Sequence, residues 1–411
     1  MHTQFSLPQR TFSAFFGVSL FAALFIAAFA VSPVHGQTAT AGQLIISEFR
    51  LRGPNGANDE FIEVYNASGA DHTVTASSGT GYAIAASNGA ARCVIPNGTV
   101  IPNRGHYLCV NSIGYSLASY PAGNGTTATG DATYTADIPD NAGIAIFNTS
   151  VPGSFVLANR LDAVGSTSEA NTLYKEGTGY PALTPFSIDY SFYRDNCGKQ
   201  GSISNFASCT TTLPKDTDNN AADFIFVDTN GTSAGAGQRL GAPGPENLSG
   251  PINRTSNLPA SLIFPCVSAS ASPNRVRDIT ADPANNSTFG TIEIRRKYTN
   301  NTGGNVTRLR FHITDITTFP APSGIADLRP RTSTAVVVAD PCVGGNVTIQ
   351  GTTLEQPPSQ PNGGGFNSSM SAGTITLATP LANGASINLR FLIGIQQSGS
   401  FRFGVNVEAL P

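Results

Sequence analysis

Short runs rich in Val, Ile, Thr, Tyr and Phe recur along the chain between clusters of Gly, Asn and Pro, and this punctuation confines most of it to strands. In the first half the runs cover residues 44–51, 60–65, 82–85, 106–110, 143–147 and 155–164, and most alternate apolar with polar as half-buried strands do. In residues 60–65, Phe61, Glu63 and Tyr65 share one face while Ile62 and Val64 share the other. No long window sustains a helical stripe. Pro96-Asn97-Gly98 and Pro102-Asn103-Arg104-Gly105 read as turns, because Pro presets the first turn dihedral and Asn and Gly accept positive φ. Many short strands joined by turns predict an all-β chain built from sandwiches. Composition agrees: 12% of the residues are charged, with 43 Gly and 27 Pro, a poor recipe for coiled coils or helix bundles. A net charge of -3 leaves no basic excess for holding nucleic acid.

The 411 residues divide by pattern. Residues 1–36 carry one charge, Arg10, then an apolar run over 12–31, Ser32-Pro33 and the exit Val34-His35-Gly36. This predicts a signal peptide cut after Gly36, with a retained anchor as the competing reading. No second run reaches spanning length, so the mature chain is expected to have no transmembrane span and to reside outside the cytoplasm, secreted or in the cell envelope. Residues 37–245 form the first expected domain, and 246–262 a linker following the Pro- and Gly-dense stretch 241–252. Residues 263–411 are expected as a second antiparallel sandwich, with strand runs at 291–298, 307–314, 334–338, 346–350, 373–377, 386–395 and 400–407. Leu309, Phe311 and Ile313 fall on one face of their strand, and residues 356–370 read as a long exposed loop.

Six cysteines, Cys93, Cys109, Cys197, Cys209, Cys266 and Cys342, fit an oxidising compartment. Spacing alone does not fix their connectivity; neighbour pairing gives Cys93–Cys109, Cys197–Cys209 and Cys266–Cys342. A zinc site is disfavoured, since no Cys-x-x-Cys occurs and no His stands at ligand spacing.

The stretch Leu44-Ile45-Ile46-Ser47-Glu48-Phe49-Arg50, followed by Asn58-Asp59-Glu60-Phe61-Ile62-Glu63-Val64-Tyr65-Asn66, resembles the opening of bacterial lamin-tail domains. These begin with an Ile-Ser-Glu strand and then an acidic strand. The run 143–147 and the closing segments 216–224 and 241–244 also resemble that family, so that the likeness covers about residues 42–245. It implies an immunoglobulin-like sandwich serving as a binding or structural module in exported bacterial proteins, sometimes beside catalytic domains. This chain departs from the pattern in its longer middle, 66–142 and 165–215, and in its cysteines. Residues 298–311 look like part of a β-rich module of exported bacterial proteins, to which no activity is tied.

Candidate chemistry is sparse. Beyond the export segment the histidines are His72, His106 and His312, scattered in sequence, where a hydrolase triad needs a base beside a nucleophile and an orienting acid. They are expected as surface or strand residues. Glu48, Asp59, Glu60 and Glu63 invite a metal or acid/base role, against a structural one in which they bond to Arg50 and Arg52 and fix the first hairpin. Asp216, Asp218, Asn220 and Asp223 place oxygens as the start of a calcium loop does, without its central glycine or distal glutamate; backbone capping is the alternative. No other cofactor is implied. Tyr174, Tyr180, Tyr190, Phe192 and Tyr193 are candidate binding aromatics for a glycan or peptide, or else core rings. The expectation is a secreted, non-catalytic binding or structural protein whose partner is an extracellular or cell-surface protein or glycan. The alternative is an exported, metal-dependent, nuclease-like hydrolase using its clustered carboxylates.

Overall fold

The computed structural model describes residues 38–120, 127–182, 187–196, 213–232, 237–357, 362 and 364–411. The expected export segment and the pair Cys197–Cys209 lie outside them. Residues Gly36–Pro411 make one compact unit, and among the described residues its regular structure is mostly strand with almost no helix.

Two sheets build the N-terminal half. A seven-stranded sheet runs in the order Arg239–Leu240, Phe224–Asp228, Tyr190–Arg194, Leu44–Arg50, Phe61–Asn66, His106–Asn111, Ala132–Tyr134. A four-stranded sheet of Arg160–Val164, Ile144–Phe147, Gly81–Ala86 and Ala91–Pro96 lies against it. Alternation dictates the packing: Ile62 and Val64 turn inward with Ile46 and Phe49 to meet Tyr82, Ile84 and Ile146 of the facing sheet. Cys93 and Cys109 sit on opposite sheets and are joined by a disulfide.

The C-terminal half repeats the two-layer plan. One five-stranded sheet orders Ile252–Asn253, Phe403–Leu410, Arg308–Ile316, Ser369–Ser371 and Thr353–Glu355. The other orders Ala260–Ser261, Thr291–Thr299, Ser386–Gln397 and Asp327–Arg331, with Arg275–Asp278 added beside Thr291–Thr299. Leu309, Phe311 and Ile313 share one buried cluster with Leu389, Phe391 and Ile393 of the second sheet. The second disulfide ties Cys266 to Cys342, in the turn between Val336–Ala339 and Asn346–Ile349.

Where the halves meet, the seven-stranded sheet is covered a second time. Its outer face contributes Tyr193, Ile225 and Val227 to the C-terminal core, and Tyr193 meets Phe366 edge-on with ring centroids 5.6 Å apart. Every residue of Leu44–Arg50 and Phe61–Asn66 is therefore buried. The Pro- and Gly-dense stretch threads between the halves: Ala242 N–H bonds to Phe366 carbonyl at 3.1 Å, and Ala242, Glu246 and Asn247 are buried. Gly241 is required here, because a Cβ would stand 1.9 Å from the Phe366 carbonyl oxygen.

Candidate functional site

A buried cluster of acids and histidines lies at this junction. A register shift between Ile46 and Glu48 leaves Ser47 as a bulge residue and sets Glu48 directly opposite Glu63. Tyr65 pairs with His106 on the next strand, so the outer face of the sheet presents Glu48, Glu63, Tyr65 and His106. From the C-terminal half, His312 and Arg310 stand opposite Asn406 and Glu408. Their side chains occupy the face of that strand opposite Leu309, Phe311 and Ile313. Gly244 and Glu246 of the threading segment fill the space between.

The bonds cross the junction repeatedly. Glu48 Oε1 accepts from Gly244 N–H at 2.9 Å, and Glu63 Oε2 accepts from Glu246 N–H at 2.6 Å. Ser47 Oγ lies 2.5 Å from Glu63 Oε1. An irregular buried segment must satisfy its backbone donors, and here sheet carboxylates do so. Arg310 donates to Glu408 at 2.8 and 3.0 Å, pairs with Glu246, and has Glu355 at 3.7 Å. His312 is held between Glu408 at 3.0 Å and Asn367 Oδ1 at 2.8 Å. His106 faces Glu246 at 3.4 Å and Glu63 at 3.8 Å.

Ionisation follows from burial and placement. Two carboxylates directly opposite each other repel. Burial raises both, and Glu63 well above the carboxylate range, with Glu48 adding to the rise. Burial alone would raise Glu408 too, yet Arg310 and His312 bring it down to about 2. Burial pushes His106 down to about 3, whereas Glu408 outweighs burial at His312 and raises it. The cluster thus separates into an Arg310–Glu408–His312 group whose members favour one another's charged forms and a Glu48–Glu63 pair whose members disfavour each other's. The space among them is ≈ 30 Å³, enough for a few waters.

The other candidates are placed differently. Of the four acids, Asp59 pairs with Arg50 as expected, and Arg52 pairs with Asp140 instead. Glu60 is set apart: it accepts from Asn111 Nδ2 at 2.8 Å and Ile138 N–H at 2.7 Å, and burial raises it to about 7. His72 stays alone, bonded to Tyr82 hydroxyl at 3.1 Å. The calcium candidates do not converge. Asn220 Oδ1 accepts from Gly165 and Glu176 N–H, both at 3.0 Å, and its amide donates to Ala163. Asp223 accepts from Thr217 N–H at 2.9 Å and its hydroxyl at 2.6 Å, which closes the loop that presents Asp218 at positive φ. Asp216 pairs with Arg194 at 3.1 Å. Asp162, Glu176 and Asp216 do bring one oxygen each within 4.8 Å of one another. The Arg194 guanidinium already meets two of them, with Asp162 at 2.8 Å, and so supplies the positive charge a cation would bring.

Of the two readings of the aromatic residues, burial fits the core one: Tyr174, Tyr180, Tyr190, Phe192 and Tyr193 are all 5% exposed or less. Tyr180 and Phe192 approach to 4.2 Å between centroids, and Phe192 stacks on Phe49 at 5.2 Å. The strand Tyr190–Arg194 is buried on both faces and carries rings on both, Tyr190 and Phe192 toward the N-terminal core and Tyr193 toward the C-terminal one. Arg310 alternates with Leu309 and Phe311, the usual mark of a solvent face, and Glu246, Glu355 and Glu408 are single acids in otherwise neutral stretches, so none of the four stands out in the sequence. Comparison with family models, with curated proteins and with solved structures returns no match for the chain.

Proposed function

We propose that this chain is an exported, non-catalytic interaction protein, in which a lamin-tail-like, immunoglobulin-like N-terminal sandwich engages an extracellular or cell-surface protein or glycan. The observation that carries the reading is how the junction spends its chemistry. Its acids bond to the threading backbone and to Arg310, and its histidines face those acids around a space of ≈ 30 Å³, so they serve to hold the halves in one orientation. A rigid two-part scaffold suits a binding module, because fixed surfaces lose less freedom on association. Two disulfides support an oxidising location. Among the described residues no helix is long and apolar enough to cross a membrane.

The test compares residues 37–411 in two assays. Saturable binding to intact cell envelopes, displaced by unlabelled protein, is the expected result. Hydrolysis of DNA, RNA or glycans in the presence of divalent ions, lost on Asp162→Asn, would instead favour the metal-dependent hydrolase.

A further inference from the structure

The C-terminal sandwich is open along one side. The strand Arg275–Asp278 pairs with Thr291–Thr299 in the register Arg275 to Ile294 and Arg277 to Ile292. Both arginines therefore stand on the sheet face that carries Ile292 and Ile294 toward the core. Across from them, Phe403–Leu410 is covered by Ile252–Asn253 only at Glu408 and Ala409, which leaves Phe403 to Asn406 as a bare edge. Between these two edges runs a groove of ≈ 760 Å³ walled by Phe403 and Val405. Arg275 and Phe401 are shared with an adjoining pocket of ≈ 280 Å³ over Ile292, Leu328 and Ile395. Volumes of about 300–1,000 Å³ are typical of small-molecule sites.

Charge decides what fits. Arg402 is neutralised by Asp315, and Arg277 donates to the carbonyls of Asp278, Phe289 and Thr291. Arg275 differs: among the described residues no carboxylate comes within 4.0 Å of its guanidinium and no acceptor bonds to it. An unmatched, partly buried guanidinium beside an apolar floor complements a molecule with an anionic head and an apolar tail.

We propose that this mouth binds a single-chain amphiphile with an anionic head, the head on Arg275 and the chain over Ile292, Leu328 and Ile395. The site belongs to the C-terminal half and does not depend on the role proposed for the N-terminal one. An inward charge on an edge strand also discourages edge-to-edge pairing. Arg275→Glu keeps that protection while reversing the head-group preference, so it separates the two roles.

The probe is dodecanoate below its micellar concentration, titrated calorimetrically into the protein, with dodecyltrimethylammonium and 1-dodecanol as head-group controls. Saturable binding at one site per chain is expected, weakened at least ~10-fold by Arg275→Glu and by the neutral head, as loss of a charge-assisted contact requires. Ser398→Phe, at the exposed rim of the pocket, is expected to block the chain and leave the fold intact by circular dichroism. Equal binding of the cationic amphiphile, or unchanged affinity in Arg275→Glu, overturns the proposal. So does a concentration-dependent dimer abolished by Ser398→Phe in a protein that takes up no dodecanoate, which would give the groove to a second copy of the chain.

Discussion

Replacing Arg310 with Met tests whether the junction is held by charge. The side chain is 5% exposed and faces Glu246, Glu355 and Glu408, which are no more exposed than 6%. Met keeps the apolar stem and removes the guanidinium that pairs with Glu246 and Glu408 and stands 3.7 Å from Glu355, and stranding buried carboxylates in this way costs about 3–5 kcal/mol. Glu408 sets the pH dependence. Its folded pKa of about 2 lies below the ordinary 4.5, so its contribution of about 3 kcal/mol is full above 4.5 and fades as the pH falls toward 2. In the variant, Glu408 keeps His312 but loses its principal partner, so its folded pKa rises and this acid-side loss shrinks. The native protein therefore gives up about 2 kcal/mol between pH 7 and pH 3 and the variant less, so the gap between them narrows on acidification. Urea unfolding followed by circular dichroism and tyrosine fluorescence reads both quantities, since the chain has 11 Tyr and no Trp. A cost under ~1 kcal/mol at pH 7, or a gap that does not change with pH, refutes a charge-based junction.

Other substitutions probe the remaining parts. Gly241→Ala forces a Cβ onto the Phe366 carbonyl and is expected to cost about 1–3 kcal/mol, while Gly304→Ala, which meets nothing within 4 Å, stays within ~0.5 kcal/mol in the same unfolding assay. Under mild reductant, mass spectrometry of alkylated protein is expected to find Cys266 and Cys342 modified before Cys93 and Cys109, because Cys266 is exposed and Cys93 and Cys109 are buried. Phe192→Ala is expected to cost about 3–5 kcal/mol of stability in urea, the price of emptying a core position; a stable variant with impaired envelope binding would restore the aromatic-surface reading. Calcium at a few millimolar is expected to leave the melting temperature unchanged relative to chelator, with a rise showing that a cation displaces Arg194.

Strands were legible wherever one face of a sheet has a different neighbour from the other. Residues 291–298, 307–314 and 386–395 alternate cleanly and appear as Thr291–Thr299, Arg308–Ile316 and Ser386–Gln397. The expected strand at 373–377 does not form: Ile375 tucks into the core, Leu377 is 84% exposed, and the pairing strand is Ser369–Ser371, inside a stretch whose Gly, Asn and Ser content reads as loop. A three-residue strand carries too little period to stand out from such a background.

The junction was illegible for a deeper reason. Alternation reports that two faces differ, and the polar one is then assigned to water. In Leu309-Arg310-Phe311-His312-Ile313 the apolar face was placed correctly, but the polar face meets another sheet rather than solvent. The same holds for Glu48 and Glu63, which lie opposite each other only because a bulge at Ser47 shifts the register, a displacement that leaves no trace in spacing. What distinguishes a buried polar face from a wet one is its partner, and here the partners come from three distant segments: Glu63, Glu246 and Glu408 share one site across almost the whole chain. Among these residues the one local signal is the threading segment. A Pro- and Gly-dense stretch that contained no acid would read as a simple tether, whereas Glu246 within it supplies both the amide that meets Glu63 and the carboxylate that meets Arg310. That double use makes the segment a wedge between the sheets and explains why the polar faces on either side of it are buried.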